Sequence, residues 1–374
     1  MKILEGALRR NPEMSTRYAL TLASKLEEEG AARQAAMLRA SVAKLPASNI
    51  EIAGARSLPV DEESRLETVD VSLPGVSDFD LVLHPYVHAQ VETFLDGVRN
   101  YDRWAEAGVA VPNRLLLFGP PGTGKTSIAN LIAASLGLPL LTTRSDTLVS
   151  SLLGQTSKNI RQVFDYADSR PCVLFLDEFD ALAKDRADAR EIGELQRVVI
   201  ALLQNMDALS PQTILVAATN HEALLDSAVW RRFETTVRVD LPDLLERESI
   251  WRLKLGSIRV SERDIRTLAT ESDGLSGAAI QTAAYDIVRD QIRGNQTEFS
   301  LARAMRRLAR VLWYDSYRVF NDDRSEMKAL RAWKPNIFTL RVMSELFSVS
   351  VRQATTATRG QNDAGSGPDT SAAV

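Results

Sequence analysis

Eight consecutive residues, Gly119-Pro120-Pro121-Gly122-Thr123-Gly124-Lys125-Thr126, constrain this 374-residue chain more than any other segment. They satisfy G-x-x-x-x-G-K-[ST]. Such a loop works only between a buried strand and a helix, because its glycines turn backbone N–H groups inward around phosphates and the helix adds its positive N-terminal end. Both flanks fit. The apolar run Arg114–Phe118 precedes the loop, and a helical pattern over Ser127–Leu136 follows it. The expected ligand is ATP with Mg²⁺. Lys125 is expected to reach the β- and γ-phosphates and the Thr126 hydroxyl to ligate the metal, with Ser127 next on the helix.

Two further apolar runs end in chemistry. Val173–Leu176 closes on Asp177-Glu178, where an aspartate can hold Mg²⁺ and a glutamate can deprotonate an attacking water. Thr213–Ala218 closes on Thr219-Asn220, which places Asn220 beside a γ-phosphate. Leu140–Thr143 is a weaker strand candidate. Helical patterns over Lys158–Ala167 and Ile192–Met206 alternate with these runs, so the fold expected is α/β: a P-loop parallel sheet with helices on both faces. Arg231-Arg232-Phe233 has two readings. It is a solvated basic pair, or it delivers positive charge to a γ-phosphate in the transition state.

Domain boundaries follow from the pattern. Residues 1–46 read as a helical hairpin and 47–78 as a linker. Residues 79–241 form the α/β domain and 242–311 a helical lid. Residues 312–354 form a further helical region, and the Thr/Gly/Ser-rich tail 355–374 is expected to be disordered. The formal net charge of −4 means that any nucleic-acid binding needs a local basic patch. The single cysteine, Cys172, excludes an intrachain disulfide and reads as a buried small hydrophobe. No signal-length or membrane-spanning apolar run is found, so the chain reads as soluble, cytoplasmic and without membrane contact. His84 and His88 share a spacing that suits a metal, but no third ligand lies near, and a structural role is expected.

Together these segments resemble an AAA-type ATPase over about residues 79–310. Gly119–Thr126 is the family's favoured phosphate loop, Leu174–Asp180 resembles its Walker B, and Ala217–Asn220 resembles sensor 1. Leu225–Ala228 with Arg231-Arg232-Phe233 resembles the arginine-finger segment of the meiotic, katanin-like branch. Asp273–Ala278 resembles sensor 2, with Gly277 and Ala278 at the nucleotide. The resemblance implies a homo-oligomeric ring, usually a hexamer, in which Arg231 and Arg232 act on a neighbour's nucleotide and pore loops remodel a protein substrate. The first pore loop maps to Leu152-Leu153-Gly154, with leucine where the family carries an aromatic residue. The usual acidic residue after Gly-Ala is replaced by Ala279.

The resemblance also leaves room for a separately encoded partner protease, subtilisin-like ones included, as in bacterial defence or toxin–antitoxin loci. No H-E-x-x-H stands in this sequence. The rival reading is a nucleic-acid-directed ATPase. Thr339–Ala354 resembles a helix-turn-helix, with Arg341, Arg352 and Arg359 able to meet phosphates or bases. The alternative, two amphipathic helices capping the lid or a neighbouring subunit, is the expectation, because the pattern is short and its charge modest.

Overall fold

The computed structural model describes residues 58–61, 67–75, 80–109, 113–144, 153–180, 192–210, 213–294, 298–314 and 322–358. The expected N-terminal hairpin, Leu152 and the tail from residue 359 lie outside the described residues.

Six strands form one sheet: β1 (Val69–Ser72), β2 (Arg114–Phe118), β3 (Leu140–Thr143), β4 (Val173–Leu176), β5 (Ile214–Thr219) and β6 (Thr235–Arg238). Their order is β1-β3-β4-β5-β2-β6, and every pairing is parallel except that of β1 with β3. The helices of this part are α1 (Pro85–Arg99), α2 (Tyr101–Glu106), α3 (Lys125–Leu136), α4 (Leu153–Asp168), α5 (Ile192–Ala208) and the single turn α6 (Ser227–Trp230). The central strands β2, β4 and β5 are apolar apart from Arg114 and Thr219 at their ends, because both faces are covered. Leu116, Leu174, Leu176, Leu215 and Ala217 point into one core, and Leu115, Leu117, Val173, Phe175 and Val216 into the other.

The edge strands depart from expectation. β1 lies inside the stretch read as a linker, and β6 has no apolar run. Each buries a single valine, Val69 or Val237. Strands with one exposed edge can carry polar residues, so a search for buried runs passes over them.

Beyond Pro242 the described residues are helical: α7 (Leu244–Lys254), α8 (Glu262–Glu271), α9 (Gly277–Arg293), α10 (Leu301–Tyr314), α11 (Asp323–Trp333), α12 (Leu340–Phe347) and α13 (Val351–Thr358). Side-chain caps set several starts. Asp243 and Glu246 form a capping box on α7, while Ser261, Ser276, Asp322 and Thr339 cap α8, α9, α11 and α12. One core runs through all of it, from Trp251 and Leu268 to Met305, Leu330, Phe338, Met343 and Ala354. The lid and the helices after residue 312 are therefore packed as one body, and α13 carries helix to Thr358, past the point where disorder was expected. Glu326 of α11, 5% exposed, takes both Arg306 and Arg310 of α10 at 2.6–3.2 Å. Burial pushes its carboxyl up. The hydrogen bonds and charges of the two arginines together outweigh that and hold it below the usual carboxylate range.

Candidate nucleotide site

The loop after β2 curls against β6. Gly119 has φ 138°, and a Cβ there would stand 2.3 Å from the Val239 carbonyl oxygen. Gly122 has φ 73°, and a Cβ there would meet Ser276 Oγ at 2.6 Å. Both positions need glycine for conformation and for space. The Gly122 carbonyl accepts a hydrogen bond from the Ala278 N–H at 3.0 Å, so the start of α9 is tied to the phosphate loop. Gly277 and Ala278 thus stand against the phosphate loop.

Lys125 is buried at the start of α3. Its Nζ donates to the Gly119 and Pro120 carbonyls at 2.8 and 2.7 Å. Burial lowers its pKa from the usual lysine value, against the pull of Asp177, Glu222 and Asp180. Thr126 Oγ1 donates to Asp177 Oδ2 at 3.0 Å, bringing together the two hard oxygen donors that a magnesium ion prefers.

Glu178 follows in an unusual conformation. Its φ is 50°, one of two positive values outside glycine among the described residues. Its N–H donates to Asp177 Oδ1 at 2.9 Å, and the Phe179 N–H donates to the Ala218 carbonyl at 2.8 Å. The chain thus turns sharply at the strand end, and Glu178 is exposed rather than packed. Left-handed backbone at a non-glycine residue costs free energy that the surrounding contacts must offset.

These groups converge on one cavity of about 930 Å³. Lys125, Thr126, Asp177, Glu178, Asn220, Gly277 and Ala278 all line it. Arg231 and Arg232 do not. Arg231 is exposed, and Arg232 binds Asp207 of α5. Of the expected catalytic residues, the chain's own fold gathers Lys125, Glu178 and Asn220 on this cavity, but neither arginine.

The comparisons fit this geometry. Residues 115–241 match the ATPase family associated with various cellular activities (AAA). A relative named "Uncharacterized AAA family ATPase y4kL", from Sinorhizobium fredii, is 40% identical over 233 residues, covering 62% of this chain and 69% of its own length. The chain belongs to the AAA ATPase family. It is an ATP hydrolase and binds nucleotide. An "ATP-dependent zinc metalloprotease FtsH" from Acidothermus cellulolyticus is 31% identical over 259 residues, 67% of this chain and 37% of that protein. "Proteasome-activating nucleotidase 1" from Haloferax volcanii is 34% identical over 205 residues, 53% of this chain and 50% of that protein. The chain thus spans half or less of the length of these two.

The AAA cavity holds groups that sequence reading missed. Asp80–His84 and Tyr86 line one side, and Ile250, Lys254 and Gln281 of the lid also line it. Lys254 fixes that segment by donating to the Asp80 carbonyl at 3.2 Å. Arg238 of β6 enters the lining while held by Asp240 at 2.7 Å and Glu222 at 3.6 Å. No local motif marks these residues; only the return of β6 beside the phosphate loop brings Arg238 in. Asp180, the acidic residue trailing Glu178, accepts from Thr219 Oγ1 at 2.7 Å and so pins the end of β4 to the end of β5.

The His84 Nδ1 accepts from the Tyr86 N–H at 3.2 Å and caps α1, and no metal-binding cluster occurs among the described residues. Cys172 is buried, which pushes its thiol up to about 12. Among the described residues no helix is long and apolar enough to cross a membrane.

Proposed function

We propose that this AAA ATPase works as a homo-oligomeric ring, a hexamer in the simplest form, that hydrolyses ATP to remodel or deliver a protein substrate. The observation that carries the reading is the position of Arg231. It is exposed and stands outside the cavity that Lys125, Glu178 and Asn220 line, while Arg232, also outside it, is held by Asp207. A cation that a chain withholds from its own triphosphate is free to complete a neighbour's.

Within one site, Lys125 and the loop N–H groups bind the β- and γ-phosphates. Thr126 and Asp177 would hold Mg²⁺, which supplies charge neutralisation at the phosphate oxygens. Glu178 takes a proton from the attacking water, and Asn220 orients that water. Arg231 of the adjacent subunit stabilises the charge of the transferring phosphoryl group. The Ala278–Gly122 hydrogen bond gives the lid a direct link to the phosphate loop.

The names of two relatives, a metalloprotease and a proteasome activator, support a protein substrate. In this reading Leu152, Leu153 and Gly154 form the gripping segment, whose last two residues begin α4, and leucine offers less contact area than an aromatic ring, so the grip is weaker. A separate protease, subtilisin-like or other, is the partner that would turn remodelling into degradation. The working compartment is the cytoplasm. The ring is tested by light scattering on Glu178→Gln with ATP. A mass several times the 41.3 kDa chain is expected, and a monomer under those conditions would end the proposal.

A further inference from the structure

The last two described helices are joined by only three residues, Ser348, Val349 and Ser350. The turn between them is closely specified. Ser348 takes φ 52° and ψ 41°, the left-handed region that a residue with a Cβ enters at a cost. The Val349 N–H donates to the Ser344 carbonyl at 3.1 Å, and Ser344 Oγ donates to the Val349 carbonyl. Ser350 then caps α13. Its Oγ accepts from the Gln353 N–H at 3.2 Å, and Gln353 Oε1 accepts from the Ser350 N–H at 2.8 Å. Both α11 and α12 pack against α13. Three helices with a short, fixed turn between the second and third have the connectivity of a helix-turn-helix unit.

The inner side of this unit belongs to the lid core through Met343, Ala354 and Ala357. Among the described residues the outer side is open. Val351, Arg352, Gln353 and Thr356 of α13 are exposed, as is Arg341 of α12. The α13 segment contains no acidic residue, although the whole chain carries a net −4. Arg341 stands 3.6 Å from Glu345, but that pair is well exposed and does little to commit the arginine.

These side chains suit base edges. A guanidinium can fork onto guanine, a glutamine onto adenine, and the methyls of valine and threonine can meet the methyl of thymine. An arginine on the preceding helix is placed for a phosphate. We infer that this face binds duplex DNA, with α13 entering the major groove and α12 lying across the backbone. The grip of Glu326 on Arg306 and Arg310 mounts the unit firmly on the lid. The inference is independent of which subunit completes the nucleotide site.

The test is fluorescence anisotropy of the full chain with a labelled random-sequence duplex across a salt series. Wild type should bind, with affinity falling as salt rises because phosphate contacts release counterions. Arg352→Glu should weaken binding about tenfold or more, and Arg352→Gln should weaken it less. Both should keep the wild-type melting temperature and DNA-free ATP turnover. Duplexes selected with Gln353→Ala should differ in sequence from those selected with wild type. Absence of salt-dependent binding by wild type, with and without ATP, would overturn the inference. So would equal affinity of wild type and Arg352→Glu, or occupation of this face by a protein partner with no DNA bound.

Discussion

Arg232 holds Asp207 with two parallel contacts, Nε to Oδ1 and Nη2 to Oδ2, each 3.0 Å. Its Nη1 also donates to the Ala228 carbonyl at 2.8 Å. Three guanidinium nitrogens are thus engaged within the subunit, tying the turn after α6 to α5. Arg231, next along the chain, is exposed. Two adjacent arginines that looked equivalent in sequence therefore divide into one that positions and one that reaches outward.

The division predicts different phenotypes. Arg231→Ala should lower ATP turnover by about a hundredfold or more without changing the melting temperature. Arg232→Ala should lower the melting temperature slightly, since a half-exposed bidentate pair contributes about 1 kcal/mol or less. It should lower turnover only as far as Arg231 is displaced. Asp207→Ala should reproduce the Arg232→Ala pattern. Steady-state kinetics and thermal melts on the three variants check this, and matching effects of Asp207→Ala and Arg231→Ala would contradict it.

The two loop glycines separate fold from ligand. Gly119→Ala pushes a methyl into the Val239 backbone, which has little room to yield, so the sheet edge should loosen. A fall in stability of about 2 kcal/mol or more is expected. Gly122→Ala meets a serine side chain of the lid instead, at the loop that cradles phosphate. Its main effect should be on nucleotide affinity, with a smaller loss of stability. Denaturant melts and nucleotide titrations distinguish the two.

Lys125 makes a pH prediction with a definite sign. Burial disfavours its charged form, so its folded pKa lies below its unfolded value near 10.5. Between those two values the unfolded chain binds more protons at this group, so its contribution to stability of the ligand-free protein improves as pH rises. Phosphate binding needs the ammonium, so ATP affinity should fall over the same rise. Lys125→Arg stays ionised throughout and should lose that alkaline fall. Calorimetry of a non-hydrolysable ATP analogue from neutral to alkaline pH measures it.

The central strands and the phosphate loop were legible because burial on both faces forces uninterrupted apolar runs, and because the loop's geometry forces glycine and lysine at fixed spacing. Strands β1 and β6 were not. Val69 and Val237 are their only deeply buried side chains, and one valine makes no pattern. The roles of Arg238 and Lys254 were hidden for a different reason: each reaches the cavity through tertiary return of the chain. The backbone at Glu178 was also unreadable, since nothing in Leu-Asp-Glu-Phe announces a positive φ. Thr339–Ala354 could be seen as two helices, but the left-handed turn at Ser348 emerges only in three dimensions.

The account rests on completion of each nucleotide site by the neighbouring subunit, and subunit mixing measures that directly. Arg231→Ala subunits and Lys125→Ala subunits should each be nearly inactive alone. Mixed, they should recover part of the wild-type ATPase rate, because an intact phosphate loop can face an intact Arg231 across some interfaces. If no mixing ratio restores turnover while the two variants demonstrably co-assemble, Arg231 does not act between subunits.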